Sequence, residues 1–170
     1  MNFRKALPWL MALLILVLDR WTKSLIVQHI RPGTEFVLCP GFSLTHVHNR
    51  GIAFSLFASG GMLSRILLHM VIFSAVVMIA WMLVRHGHNR VWAGLSFGLI
   101  LGGALGNLYD RIAYGWVIDF IRVWIHHGGR LYSWPDFNVA DSAITTGAIL
   151  LLISEFFRKP KEGNDAPNSD

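Results

Sequence analysis

The chain has 170 residues, of which 54% are hydrophobic and only 15% charged, with a mean hydropathy of +0.48. A soluble domain carries about 25% charged residues, so the composition points to lipid as the main solvent and to one small domain. The net charge of +5 does not signal nucleic acid, because Lys and Arg border apolar runs instead of forming a basic face with stacking aromatics.

Four stretches approach the roughly 20 apolar residues that cross a bilayer as a helix. The first covers 7–28 and follows Arg4 and Lys5. It imitates a secretory signal, but it ends in Asp19-Arg20-Trp21 with no small-residue cleavage site, so it reads as a retained helix. Asp19 and Lys23 stand four apart and can pair on one face. Residues 34–38 and 42–47 are rich in β-branched and aromatic side chains around Pro40-Gly41, the pattern of a hairpin.

The second span covers 63–84 and the third 91–109, the latter without a charge. In the third, Gly94, Gly98, Gly102 and Gly106 recur every four residues. That spacing makes one smooth face on which another helix can approach closely. Residues 116–125 fit either a strand or a short interfacial helix. The fourth span covers 137–157, with Asp141 near its start and Glu155 near its end. From Lys159 the chain turns polar and is expected to be disordered. The prediction is a membrane all-α bundle of four transmembrane helices with a small outer β element. It forms a single domain over 1–158 with a cytoplasmic tail over 159–170.

Charge sets the orientation. With four spans both termini share a side, and that side carries seven Lys or Arg in 24 residues, against five in 61 on the other. The positive-inside rule puts both termini in the cytoplasm and the two longer loops outside.

The ten acidic residues sort by surroundings. Glu162, Asp165 and Asp170 are in the tail, Glu155 is beside Arg158, and Glu35 lies unremarkably in the hairpin. Asp110 is followed by Arg111, which can neutralise it or compete for a partner. Asp136 follows Pro135 in a turn and is expected to be exposed. Asp119 and Asp141 differ, since both sit in apolar surroundings near the outer surface, where an ionisable group is a functional candidate. Two carboxylates in one apolar site cannot both ionise easily, so one keeps a proton while the other acts as a base. Either could instead be structural, and a helix-start role suits Asp141.

Five ordered segments carry a resemblance: Asp19-Arg20-Trp21-Thr22-Lys23, Asn49-Arg50-Gly51-Ile52-Ala53-Phe54, the run from Gly102 to Arg111, Val117-Ile118-Asp119-Phe120, and Phe137-Asn138-Val139-Ala140-Asp141-Ser142. Together they resemble the bacterial lipoprotein signal peptidases, or signal peptidase II. One departure is Arg20, where that family's pattern usually has Gln. The resemblance implies an inner-membrane aspartic endopeptidase. Such an enzyme cuts diacylglyceryl-modified prolipoproteins just before the lipid-bearing cysteine. It implies Asp119 and Asp141 as the catalytic pair, with Asn49, Gly51, Asn107, Arg111 and Asn138 on substrate and Asp19, Lys23, Asp110 and Ala140 in support. It further implies an outer β-cradle with a short outer helix, a site facing outward, membrane lipids as neighbours, a monomer, and no metal or other cofactor.

Two rival classes fit less well. A proton-relay transporter is disfavoured because spans two and three lack acidic residues in their cores. A metal or haem protein would draw on the eight histidines. His46 and His48 form a short pair, as do His86 and His88, but only His69 lies well inside a span, and no His-Glu-x-x-His motif occurs. The histidines are expected to be interfacial or solvated. Cys39, the single cysteine, leaves neither an internal disulfide nor a cysteine zinc cluster.

Overall fold

The computed structural model describes residues 3–51, 62–86 and 90–157. The expected disordered tail and the Ile52-Ala53-Phe54 part of the second motif lie outside these residues. The chain runs α1 (Phe3–His29), β1 (Glu35–Cys39), β2 (Phe42–Asn49), α2 (Met62–His86), α3 (Val91–Ala113), β3 (Val117–His127), β4 (Arg130–Ser133) and α4 (Val139–Phe156).

Three helices are long and apolar enough to cross a membrane, at Ile66–Arg85, Val91–Ala113 and Val139–Phe156. The fourth predicted span corresponds to α1, a continuous helix of 27 residues. Its Asp19, Arg20 and Lys23 keep it from qualifying on composition. Asp19 and Lys23 are nevertheless fully buried, so those charges face the protein interior. Elsewhere α1 presents Leu10, Leu13, Leu14 and Val17, all more than half exposed. Large apolar side chains are similarly bare on α2 (Val71, Phe73) and α4 (Leu152). Such a surface suits hydrocarbon better than water. The molecule is a mostly helical membrane protein with a small antiparallel sheet.

Helix α3 is the axis of the bundle and packs against the other three helices. The glycine face predicted from its four-residue repeat is the seam with α1. A Cβ on Gly102 would stand 2.5 Å from the Ala12 carbonyl oxygen, and one on Gly106 would stand 2.6 Å from Asp19 Oδ2. On the α4 side, Gly103 lies against Ala140 and Ile144 of that helix. A side chain at any of these glycines would push the helices apart. Ala12 of α1, Val76 and Leu83 of α2, and Phe97, Leu101 and Leu108 of α3 form the largest apolar core.

The four strands form an antiparallel sheet in the order β1-β2-β3-β4. The predicted hairpin is present, and Gly41 makes its turn at φ +89, a conformation that glycine adopts without strain. For residues 116–125 the strand reading holds, because they fall largely in β3 and its paired register with β2. The expected short helix does not occur between α1 and α2 or between α3 and α4 among the described residues. Ile26, Ile118 and Phe120 form a second core that fastens the end of α1 beneath the sheet.

Candidate functional site

Asp119 lies on β3 opposite Val47 of β2, and Asp141 lies in the first turn of α4. What brings them together is Phe137. Its carbonyl accepts from the Phe120 and Ile121 amides at 3.0 and 2.8 Å, and its own amide donates to Ile121 O at 3.1 Å. The residue just before the N-cap of α4 is thereby stitched beside the strand that carries Asp119.

Asn138, fully buried, is the N-cap of α4. Its Oδ1 accepts from the Asp141 amide at 2.9 Å, while Asp141 Oδ2 accepts from the Asn138 amide at 3.2 Å. This is a capping box, so the helix-start role open for Asp141 is real. The same Asn138 donates from Nδ2 to Asp119 Oδ1 at 2.7 Å. One residue thus meets both carboxyl groups, with its side-chain amide on Asp119 and its backbone amide on Asp141. Asp119 Oδ2 accepts from Asn49 Nδ2 at 2.9 Å, and Asp141 Oδ1 accepts from Asn107 Nδ2 at 2.7 Å. The amide orientations follow from their other partners. Asn49 Oδ1 accepts from the Gly51 amide, and Asn107 Oδ1 accepts from Lys23 Nζ at 3.1 Å and Asn138 Nδ2 at 3.2 Å. All four carboxyl oxygens are therefore met by N–H donors.

Burial, and next the negative charge of Asp141, push Asp119 up to about 7 from an ordinary 3.8, against the opposing hydrogen bonds from Asn49 and Asn138. Desolvation of the charged form outweighs the donors that favour it. Asp119 is 2% exposed.

Beneath the pair lies a buried polar cluster. Lys23 Nζ reaches Asp19 Oδ2 and Asp110 Oδ2, each at 2.8 Å, besides Asn107. The ammonium thus faces two carboxylates and one amide oxygen. Asp19 Oδ2 makes no well-angled hydrogen bond, but the ion pair with Lys23 compensates it. Asp19 Oδ1 accepts from the Ala140 amide at 3.0 Å, which ties α1 to the first turn of α4. Asp110 also accepts from Arg20 Nη1 and from the Ile118 amide. Removing one partner from such a buried ion pair costs about 3–5 kcal/mol.

Asn49, Asn107 and Asn138, which the resemblance implies hold substrate backbone, direct their amides at the aspartates. Several expectations are corrected. Asp110 pairs with Lys23 and Arg20 instead of its neighbour Arg111. Arg111 donates to the carbonyls of Asn107 at 3.2 Å and Gly51 at 2.8 Å. Its Nε is buried and has no hydrogen-bond partner among the described residues. Asp136 is not an exposed turn residue. Its side chain is 8% exposed and accepts from Arg122 Nε and Nη2, each at 2.7 Å, and from Thr45. Glu35, read as unremarkable, meets the same Arg122 at 3.0 Å. His46 is buried and donates from Nδ1 to Ile30 O at 2.7 Å, a bond that only the folded loop creates. Among the described residues no three His, Cys, Asp or Glu side chains are grouped so as to hold a metal ion.

Fold and site together define a membrane protein whose helical bundle encloses a carboxylate pair beside a small sheet. The family described as signal peptidase (SPase) II matches residues 11–157. The chain is 43% identical to the lipoprotein signal peptidase of Burkholderia mallei (strain SAVP1) over 152 residues, 89% of each chain. It is 41% identical to that of Burkholderia multivorans (strain ATCC 17616 / 249) over the same length. Two solved structures, each of a bacterial membrane enzyme crystallised in meso, are similar at 27% identity with TM-scores of 0.73 and 0.72. The first match covers 96% of this chain and 93% of the other, the second 89% and 94%. The chain belongs to the signal peptidase II family and is a membrane-bound peptidase.

Proposed function

We propose that the chain is an aspartic endopeptidase that removes the signal peptide from diacylglyceryl-modified prolipoproteins, cutting just before the lipid-bearing cysteine. The observation that carries this reading is the carboxyl pair joined through Asn138, with every oxygen met by an N–H donor. Asp119 and Asp141 are the catalytic residues, and Asn49, Asn107 and Asn138 position them. Asp19, Lys23, Asp110 and the Ala140 amide hold the frame.

Asp141 is the base. It lies at a helix N-terminus, where backbone amides and the helix dipole favour an anion. Asp119 lies on a strand without that help and keeps its proton near neutrality. Asp141 removes a proton from a water between the pair, and the water oxygen attacks the scissile carbonyl carbon. Asp119 donates its proton to the carbonyl oxygen as the tetrahedral intermediate forms. On collapse, Asp141 passes its proton to the leaving nitrogen while a hydroxyl proton returns to Asp119. The reaction needs no metal. Arg111 Nε, without a hydrogen-bond partner among the described residues, is available to hold substrate.

The wider reading has α1 as a fourth span in the bacterial inner membrane, both termini in the cytoplasm, and the sheet and site at the outer face. Lipid chains lie along the bare helix faces, and the enzyme acts as a monomer. The test is to incubate purified protein with a diacylglyceryl-modified prolipoprotein. Cleavage is expected, persisting in chelator and falling by roughly three orders of magnitude or more in Asp119→Asn and in Asp141→Asn. Near-normal turnover in either variant, or arrest on metal removal, would refute the aspartyl mechanism. An inactive parent protein would refute the substrate.

A further inference from the structure

Arg20 stands outside the ring of residues that touch the carboxyl pair, yet it is built into the polar cluster below them. Its Nη1 meets Asp110 Oδ1, and its Nη2 donates to Tyr114 Oη at 3.2 Å. The guanidinium carbon lies 4.3 Å from the Tyr109 ring centroid and 5.7 Å from that of Tyr114, within cation–π range. The side chain is only 25% exposed. A guanidinium held this way is fixed in place and always charged.

Charge balance gives the arrangement its consequence. Lys23 faces two carboxylates, Asp19 and Asp110. Without a second cation the cluster would carry one net negative charge. Arg20 on Asp110 brings it to zero. The cluster connects to the reacting groups through Lys23 Nζ, Asn107 Oδ1 and Asn107 Nδ2, which donates to Asp141. Charged groups facing the pair come from α1 (Asp19 and Lys23) and α3 (Asp110 and Arg111). Lys23 and Asp141 each act on Asp119 through charge. In a low-dielectric interior such effects reach past direct contact.

We propose that Arg20 is a charge-compensating positioning residue that neutralises Asp110 and thereby sets the pH at which the aspartate pair gives up its shared proton. Because the cation leaves Lys23 free of excess negative charge, the pair gives up that proton at a lower pH than it would with a neutral side chain at position 20. This rests on the aspartyl reading. It goes beyond that reading by assigning a control element to a residue that makes no contact with the carboxyl pair.

The experiment is the pH profile of kcat/KM for the full-length protein in lipid or detergent, read beside an infrared titration of its protonated-carboxyl band. The infrared measurement needs no turnover, so it separates failure of this inference from failure of the peptidase reading. Arg20→Gln should move the alkaline limb and the carboxyl titration upward, on the order of half a pH unit. Arg20→Lys keeps the charge while losing the fork and should leave both near those of the parent. Tyr114→Phe, which removes only the hydrogen bond, should do the same. If Arg20→Gln does not accumulate as folded protein, the Arg20→Gln/Asp110→Asn double variant carries the test. It removes one charge of each sign and should titrate like the parent. An unmoved profile in Arg20→Gln, an equal shift in Arg20→Lys, or an upward shift in the double variant would overturn the proposal.

Discussion

At the scale of single residues, Asp119 is the group whose environment and chemistry pull hardest against each other. Burial raises it to about 7, while the Asn49 and Asn138 amides favour its ionised form. The sign of a perturbation follows. Removing a donor from the anion raises the pKa further, so the proton is kept to higher pH. In Asn49→Ala the alkaline limb of kcat/KM should therefore move up, with some loss of maximal rate because Asp119 Oδ2 loses its anchor. The limb belongs to the coupled pair, not to Asp119 alone. A profile that stays fixed or moves down would show that Asn49 does not act on the carboxylate. Sequence reasoning found both aspartates because each stands in an apolar run. The hydrogen bonds from the asparagines to the carboxyl groups were not legible, because those amides can face substrate or carboxylate until the fold brings their partners near. The sequence likewise left Asp110 either neutralised by its neighbour Arg111 or competing with it for a partner, since pairings across 90 residues, such as Arg20 with Asp110, leave no local trace.

At the scale of elements, α3 was the most legible part of the chain. An uncharged run and a four-residue glycine repeat foretold both a buried helix and a close seam, and α1 and α4 fill the two sides of it. Residues 116–125 were ambiguous because a run of Val, Ile and Phe suits a strand and an interfacial helix alike. The decision came from β2, whose edge supplies the hydrogen bonds of the register. The seam makes a quantitative prediction. In Gly102→Val the new Cβ would meet the Ala12 carbonyl at 2.5 Å and Ile15 Cβ at 2.9 Å, atoms that cannot move without moving α1. Overpacking of this kind costs about 1–3 kcal/mol, and activity should fall with stability because α1 carries Asp19 and Lys23. Leu152→Ala, at a position 71% exposed, should leave both nearly unchanged. A Gly102→Val protein that melts with the parent would mean the seam is looser than these distances imply.

At the scale of the whole molecule the open question is whether α1 crosses the membrane. Three helices qualify on length and composition alone, and α1 fails because of charges in its second half. Those charges are not offered to lipid. Asp19 and Lys23 are paired and fully buried, and Arg20 is engaged by Asp110 and two tyrosines. A helix whose charges are satisfied within the bundle can span as well as an uncharged one. The parity of spans makes this measurable. With four, both termini lie on one side, and the crowding of Lys and Arg into the short segments puts that side in the cytoplasm. With three, the termini lie on opposite sides. Reporters fused before Met1 and after Lys161 should both read cytoplasmic. A cysteine placed at Arg130, in a Cys39→Ser background, should react with an impermeant thiol reagent from outside, because β4 and the sheet stand at the opposite end of the bundle from the termini in the four-span arrangement. Termini on opposite sides would leave α1 lying along the interface, and the seam with α3 would then have to be accommodated there as well.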